Sequence, residues 1–255
     1  MAAKFFGYFK KIKRFFGKII AAASAVLIAA TLFFAGQTKT AEEVILNKRF
    51  YFLAAAGENT QSCVAAANSA GGAGVEVKID NRVYVVFACY IGENGRELAE
   101  AAQSEIGART VYVASGVMQS GAMQGVESEI VAQTRRALYL KTAAEKRRKD
   151  EITGVLNTLD ECANVLFNAA KAAESGEASQ SALKETAKNT AAVFSCLAKF
   201  TGRADKATKR CAAACGKLSE ELQKIASEIV FARDLRRVQI GACLAYLDFS
   251  GAYSI

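Results

Sequence analysis

The side chains of this chain that could take part in covalent or metal chemistry are cysteines, because the sequence has seven cysteines and no histidine. Without histidine, it cannot build a Ser-His-Asp or Cys-His catalytic group, a histidine-containing zinc site or a histidine pH switch. No paired carboxylates, activated nucleophile or phosphate-binding loop stands out in the rest of the sequence. We therefore expect a protein that is not an enzyme and that uses no cofactor.

The cysteines are predicted to be small core side chains. Two of them, Cys63 and Cys89, fall at apolar positions in the first half of the chain. Five more lie in the second half, at Cys162, Cys196, Cys211, Cys215 and Cys243. No Cys-x-x-Cys pair occurs, so the spacing does not favour a metal site. Interhelical disulfides outside the cytoplasm are an alternative, and a metal site with four converging ligands is another.

A glycine-rich segment, Gly71-Gly72-Ala73-Gly74, could be mistaken for a phosphate-binding loop. It follows a predicted helix and precedes a predicted strand, which is the wrong order for a dinucleotide or P-loop motif. We predict a tight helix-to-strand turn with positive φ angles.

An internal repeat over residues 49–115 organises the first half of the chain. Its second copy begins at Tyr84, about 35 residues after the first. Each copy reads as an alternating apolar strand, a Gly/Asn turn, an Ala-rich helix, a Gly break and a short strand, which in the second copy falls at 110–112. Two β-α-β copies predict an α+β, ferredoxin-like βαββαβ domain, in which an antiparallel four-stranded sheet carries both helices on one face.

The alternation within the strands assigns side chains to the two faces of this sheet. One predicted face carries Phe50, Phe52, Val85 and Phe87. The other carries Tyr51, Leu53, Tyr84, Val86 and Tyr90. Helices at 60–70 and 95–106 must cover one face, because their apolar sides need burial. The uncovered face would present aromatic and aliphatic side chains to solvent or a ligand, unless the C-terminal part of the chain folds back over it.

The N-terminal region predicts a membrane anchor. Residues 1–18 form a basic, aromatic arm that supplies six of the eight net positive charges, and residues 19–36 form an uncharged apolar run. This run has the length of a short transmembrane helix. The basic arm places the N-terminus in the cytoplasm and the later domains outside it, as in a single-pass protein of the cell membrane. A cleaved signal peptide and a buried soluble helix are the alternatives.

The rest of the chain carries little net charge, so we expect no binding to nucleic acid. Residues 37–48 are predicted to form a short linker between the apolar run and the repeat domain.

These features together resemble a SPOR domain, a module of bacterial envelope proteins, of the divergent type found in spore-formers. Three segments carry the resemblance: Tyr51-Phe52-Leu53-Ala54-Ala55, Gly71-Gly72-Ala73-Gly74-Val75 and Val83-Tyr84-Val85-Val86-Phe87-Ala88-Cys89-Tyr90. The resemblance implies a module that binds peptidoglycan glycan strands and acts in cell division or sporulation. On that basis, sugar rings are expected to stack on the uncovered face, at Tyr51, Leu53, Tyr84, Val86 and Tyr90.

Residues 126–255 are predicted to be helical, since the chain contains no proline. Glycine breaks divide this region into helices over about 126–173, 181–200 and 205–248. Short turns between them predict an antiparallel three-helix hairpin or coiled coil. Such a tail could bind a second copy of the chain or another protein. The alternative function is therefore that of an envelope scaffold protein whose SPOR-like domain no longer binds glycan.

Overall fold

The computed structural model describes residues 41–56, 60–69, 71–79, 82–115, 127–200 and 205–254. These ranges contain four strands and seven helices, numbered in chain order. The strands are β1 (Glu42–Ala56), β2 (Val75–Ile79), β3 (Arg82–Ile91) and β4 (Glu127–Leu140). The helices are α1 (Thr60–Ser69), α2 (Gly95–Ser115), α3 (Ala143–Arg147), α4 (Lys149–Glu174), α5 (Gln180–Lys199), α6 (Lys206–Ser227) and α7 (Ala232–Gly251).

The chain is an α+β protein with one four-stranded antiparallel sheet, in the strand order β2-β3-β1-β4. The sheet is formed by a β-α-β-β-α-β series of elements, from β1 to β4.

The predicted fold class is wrong in including a transmembrane helix, and the predicted single-pass location in the cell membrane is not supported. Among the residues that the structure describes, no helix is both long and apolar enough to cross a bilayer. The apolar run at 19–36, the basic arm at 1–18 and residues 37–40 of the predicted linker lie outside the described residues. The rest of that linker is not a loop, because β1 begins at Glu42.

The chain divides into two compact units. In the smaller unit, the structure describes residues 41–42 and 140–155, which include α3 and the first turns of α4. Thr142 and Glu145 form a capping box at the start of α3, in which each side chain accepts the backbone N–H of the other residue. Lys149 donates to Glu42 at 2.6 Å within the same unit.

The larger unit contains the sheet and the remaining helices. A bulge in β3 determines which side chains of the sheet share a face. Leu53 of β1 pairs with Ala88, but the next residue, Ala54, pairs with Val86. Phe87 is therefore an extra residue on β3, and it reverses the alternation of that strand without changing β1.

The bulge makes the predicted division of the faces wrong. Val85 and Phe87 join Tyr51, Leu53 and Tyr90 in one buried cluster, instead of lying on the opposite face. This cluster is covered by α1 and α2, which contribute Cys63, Ala67 and Ala99.

The other face of the sheet is covered by α7. The ring centroids of Phe50 and Tyr246 are 5.2 Å apart across this contact. The Gln239 amide of the same helix donates to the backbone carbonyl of Cys89 at 2.9 Å. Both faces of the central strands are therefore buried, as expected for the alternative in which the C-terminal part folds back over the sheet.

The fourth strand lies in a region that the absence of proline, with Gly154 as its single glycine, predicts as helix. β4 occupies Glu127–Leu140, inside the predicted helix at 126–173. The predicted strand at 110–112 is instead part of α2, which runs on to Ser115. Gln103 of α2 donates to the Ser128 carbonyl at 2.6 Å and links these two elements. The sheet therefore extends from residue 42 to residue 140, beyond the predicted boundary at 115.

The described residues after β4 and α3 form four long helices, α4 to α7, rather than the three predicted. The predicted third helix at 205–248 breaks where α6 ends at Ser227 and α7 begins at Ala232. At this break the side chain of Gln180 accepts the N–H and donates to the C=O of Val230, each at 2.9 Å. These two bonds satisfy backbone groups that a continuous helix would have satisfied internally.

Candidate ligand-binding cleft

A cleft of about 480 Å³ lies in the larger unit, where the sheet, α1, α2 and the start of α7 meet. Its floor is formed by Leu53, Phe87 and Tyr90 of the sheet. Its volume falls within the range of about 300–1,000 Å³ that is usual for small-molecule sites. The cleft is therefore large enough to hold an organic ligand.

The glycine-rich turn closes one end of the cleft. Gly71 and Gly74 have φ angles of +79° and +61°, which confirms the predicted turn with positive φ. A Cβ atom on Gly72 would lie 2.8 Å from Cδ1 and 3.0 Å from Cα of Phe87. Only glycine lets this turn approach the floor so closely.

A partly exposed ion pair lines another side of the cleft. Arg236 of α7 donates from Nε and Nη2 to the two carboxylate oxygens of Glu174, at 3.0 and 2.6 Å. Burial acts against the charge of Arg236, but the bonds with Glu174 outweigh it, so the pKa of the guanidinium lies above its ordinary value. Burial also raises the pKa of Tyr90, and the neighbouring Arg236 offsets part of that rise. At neutral pH the cleft therefore offers a neutral phenol beside a fixed cation.

The rim of the cleft carries exposed polar and aromatic groups. Arg233 stacks its guanidinium over the ring of Phe231, 5.2 Å from the ring centroid, and Phe231 is 49 % exposed. Asn68 at the end of α1 and Glu105 on α2 face the cleft from the other side. The rim can thus contact an aromatic or sugar ring and also form hydrogen bonds with its polar substituents.

The five residues that the sequence predicts as ligand contacts do not form one open surface. Tyr51, Leu53, Val86 and Tyr90 are each at most 8 % exposed, and Tyr84 is half-buried. The expectation of an uncovered sheet face is therefore wrong, because α1 and α2 cover one face and α7 covers the other. Leu53 and Tyr90 nevertheless line the cleft.

Sequence reasoning missed the rim residues on α4 and α7. Arg236 lies 146 positions after Tyr90 in the chain, so no local pattern connects the two residues. One signal was present, because Arg233 and Arg236 are three residues apart and lie on one side of a helix. An aromatic residue, Phe231, immediately precedes that helix.

The cysteines lie away from the cleft lining. All seven are free thiols, six of them buried and one, Cys196, exposed. Within the described ranges, no three Cys, Asp or Glu side chains are grouped so that they could hold a metal ion. The burial of six thiols agrees with the predicted role as small core side chains.

No protein-family model, curated protein or solved structure matches this chain.

Proposed function

We propose that this chain is a non-enzymatic carbohydrate-binding protein that holds a segment of a peptidoglycan glycan strand in the cleft. The observation that carries the proposal is the composition of the cleft, in which an aromatic and aliphatic floor adjoins a rim of guanidinium, carboxylate and amide groups. The resemblance to SPOR domains supports the class of ligand. Because both faces of the sheet are buried, we propose the cleft rather than a sheet face as the binding site.

The chemistry of a sugar strand fits these two kinds of surface. The C–H groups of a sugar ring form apolar patches that pack against aromatic side chains such as Phe231. The ring hydroxyl and amide substituents need donors and acceptors, which Asn68 and Glu105 supply at the opposite rim. Arg233 is exposed and is held over Phe231, so its remaining N–H groups can donate to a carboxylate on the strand.

The experiment is a calorimetric titration of the full chain with purified glycan strands from which the peptides have been removed. The test variant is Arg233→Ala, which removes an exposed rim side chain without opening a core cavity. Losing one charge-assisted hydrogen bond costs about 1.5–3 kcal/mol, so we expect affinity to fall about tenfold to hundredfold.

Arg237→Ala provides the matched control. This arginine is also on α7, but it faces a separate groove and pairs with Glu221 and Asp234 at 3.6 and 3.5 Å. We expect the control to bind as the wild type does. Absence of binding by the wild type, or equal losses in both variants, would refute the proposal.

A second candidate function, binding of a protein partner or a second copy through the helices, is favoured by Ile229. This side chain is 62 % exposed at the junction of α6 and α7. A chain that fails to bind glycan strands but sediments as a dimer would support this second function instead.

A further inference from the structure

Two buried cysteines lie near each other where the last helix packs on the sheet. Cys89 lies in the second half of β3 and is 0 % exposed, and Cys243 lies in the middle of α7 and is 1 % exposed. On one side Cys89 pairs with Phe52 of β1. On the other side, where β2 pairs with β3 only at residues 82–86, the Cys89 carbonyl accepts a hydrogen bond from Gln239 of α7. The two thiols are thus brought together by a contact between distant parts of the chain.

Gln239 fixes the geometry of this contact. Its Nε2 atom lies 2.9 Å from the carbonyl oxygen of Cys89 and 3.6 Å from the Sγ atom of Cys243, so one amide group binds both residues. Burial, and after it the neighbouring Cys243 thiol, raise the pKa of Cys89. Gln239 is 1 % exposed, which means that this arrangement is enclosed by protein.

We propose that Cys89 and Cys243 are a disulfide-forming pair, which cross-links β3 to α7 when the chain folds in the presence of an organic disulfide. The thiolate of one cysteine attacks the organic disulfide and forms a mixed disulfide, releasing one small thiol. The second cysteine then attacks the protein sulfur of that mixed disulfide and releases the other small thiol. The two protein thiols are oxidised, one organic disulfide is reduced to two thiols, and the two cysteine protons pass to the solvent and the released thiols.

Burial determines when this exchange takes place. In the folded chain an organic disulfide cannot reach either sulfur. The first attack therefore takes place while the chain is folding, or in a locally opened state. The second attack needs the native contact, because a disulfide requires Cβ atoms about 3.5–4.5 Å apart. Formation of this particular bond therefore reports that α7 has docked on β3.

A second pair of neighbouring thiols provides an internal comparison. Cys211 and Cys215 are also neighbours, since the Cys215 thiol lowers the pKa of Cys211, but they lie one turn apart on α6. Side chains at this spacing on a helix have Cβ atoms about 5–6 Å apart, which is too far for a disulfide without unwinding the helix. The same refolding conditions should therefore oxidise the first pair and leave the second pair reduced.

The cross-link would join two walls of the cleft, and it can form whether or not the cleft binds glycan. β3 carries Phe87 and Tyr90 of the floor, and α7 carries Arg233 and Arg236 of the rim. A covalent bond between these elements restricts their separation in every state of the chain, including the unfolded one.

The test is to denature and reduce the full chain and to refold it in a mixture of reduced and oxidised glutathione. Free thiols are then alkylated, and the chain is digested with trypsin and analysed by mass spectrometry. We expect five alkylated cysteines out of seven, and a cross-linked pair of peptides covering residues 83–96 and 238–255. Each of these peptides contains a single cysteine, so the assignment is unambiguous.

Two variants and one physical measurement complete the test. Cys243→Ala should abolish the cross-link and leave six reduced cysteines, while Cys211→Ala should retain it. The oxidised wild type should melt roughly 5–15 °C above the reduced form, because a long loop is closed. Seven alkylated cysteines in the refolded wild type, or Cys89 joined to any other cysteine, would overturn the proposal.

Discussion

Replacing Gly72 with alanine tests whether the glycine-rich turn is held against the sheet as closely as the structure indicates. The added Cβ would lie 2.8 Å from the ring atom Cδ1 of Phe87 and 3.0 Å from its Cα and Cβ. The contact at 2.8 Å with the ring forces a shift, and the contacts at 3.0 Å are with Cα and Cβ, which move less easily than the ring. The turn has little freedom to move, because the backbone N–H of Ala73 donates to the Phe87 carbonyl at 2.9 Å.

The expected loss of stability follows from two opposing effects. Overpacking of a buried contact costs about 1–3 kcal/mol. Alanine in place of glycine restricts the unfolded chain and returns about 0.4–1 kcal/mol. We therefore expect Gly72→Ala to lower the free energy of unfolding by about 1–2 kcal/mol, measured by urea denaturation followed by far-UV circular dichroism.

Gly71→Ala is the matched control, because it makes the same glycine-to-alanine change but destabilises the turn for a different physical reason. A Cβ at Gly71 meets no atom within 4 Å, but the φ angle of +79° is unfavourable for alanine. This variant should also lose about 1 kcal/mol through backbone strain. The two causes separate in a Phe87→Leu background, in which the more flexible side chain can move away from a methyl group on residue 72.

In this double-mutant cycle the cost of Gly72→Ala should fall in the Phe87→Leu background, and the cost of Gly71→Ala should not change. The fall should be partial, because the contacts with Cα and Cβ of residue 87 remain. A Gly72→Ala protein as stable as the wild type, or a cost that does not depend on residue 87, would show that the approach is looser than described.

Two further predictions concern the helical part of the chain. Burial, with a smaller contribution from Glu161, raises the pKa of Cys162 from 9.0 to about 12. As the pH rises, the unfolded chain loses this proton before the folded chain does. The free energy of unfolding should therefore fall between about pH 9 and 12, by up to about 1.4 kcal/mol per pH unit. Cys162→Ala should lessen this dependence on pH, as measured by denaturation at several pH values. Asp205 caps α6 by accepting the N–H of Thr208 at 2.8 Å, and it also accepts the hydroxyl of Tyr253 at 2.9 Å. Asp205→Ala should lower the free energy of unfolding by about 1–3 kcal/mol. Asp205→Asn keeps an acceptor, so it should lower the free energy of unfolding by less. Equal losses in the two variants would contradict the role of Asp205 as a cap.

Three of the four predicted strands and both helices of the internal repeat could be predicted from local pattern, but the strand predicted at 110–112 is helix and the sharing of faces could not be predicted. Alternation in β1 and β3 is visible in the sequence, and both strands form. The bulge at Phe87 depends on how Leu53 and Ala54 pair with the neighbouring strand. A single extra residue reverses one strand relative to the other, and no local signal marks its position.

The break between α6 and α7 shows a second limit of local pattern. Residues 228–231 contain neither proline nor glycine, so the sequence favours a continuous helix. The break is stabilised instead by the side chain of Gln180, fifty positions earlier, which bonds both backbone groups of Val230. The rim of the cleft depends on this break, because Phe231 is its last residue and Arg233 lies in the first turn of the helix that follows.

The distance in sequence between the floor and the rim of the cleft also sets the order in which the site is assembled during synthesis. Gln239 contacts Cys89 across 150 positions of the chain. At usual rates of about 5–20 residues per second, a ribosome needs about 8–30 s to make that interval. Throughout this time β3 has emerged without the helix that covers it, and its apolar face is open to other nascent chains and to chaperones. The cleft is therefore among the last features to appear, and a ligand can select only chains whose final helix has already docked.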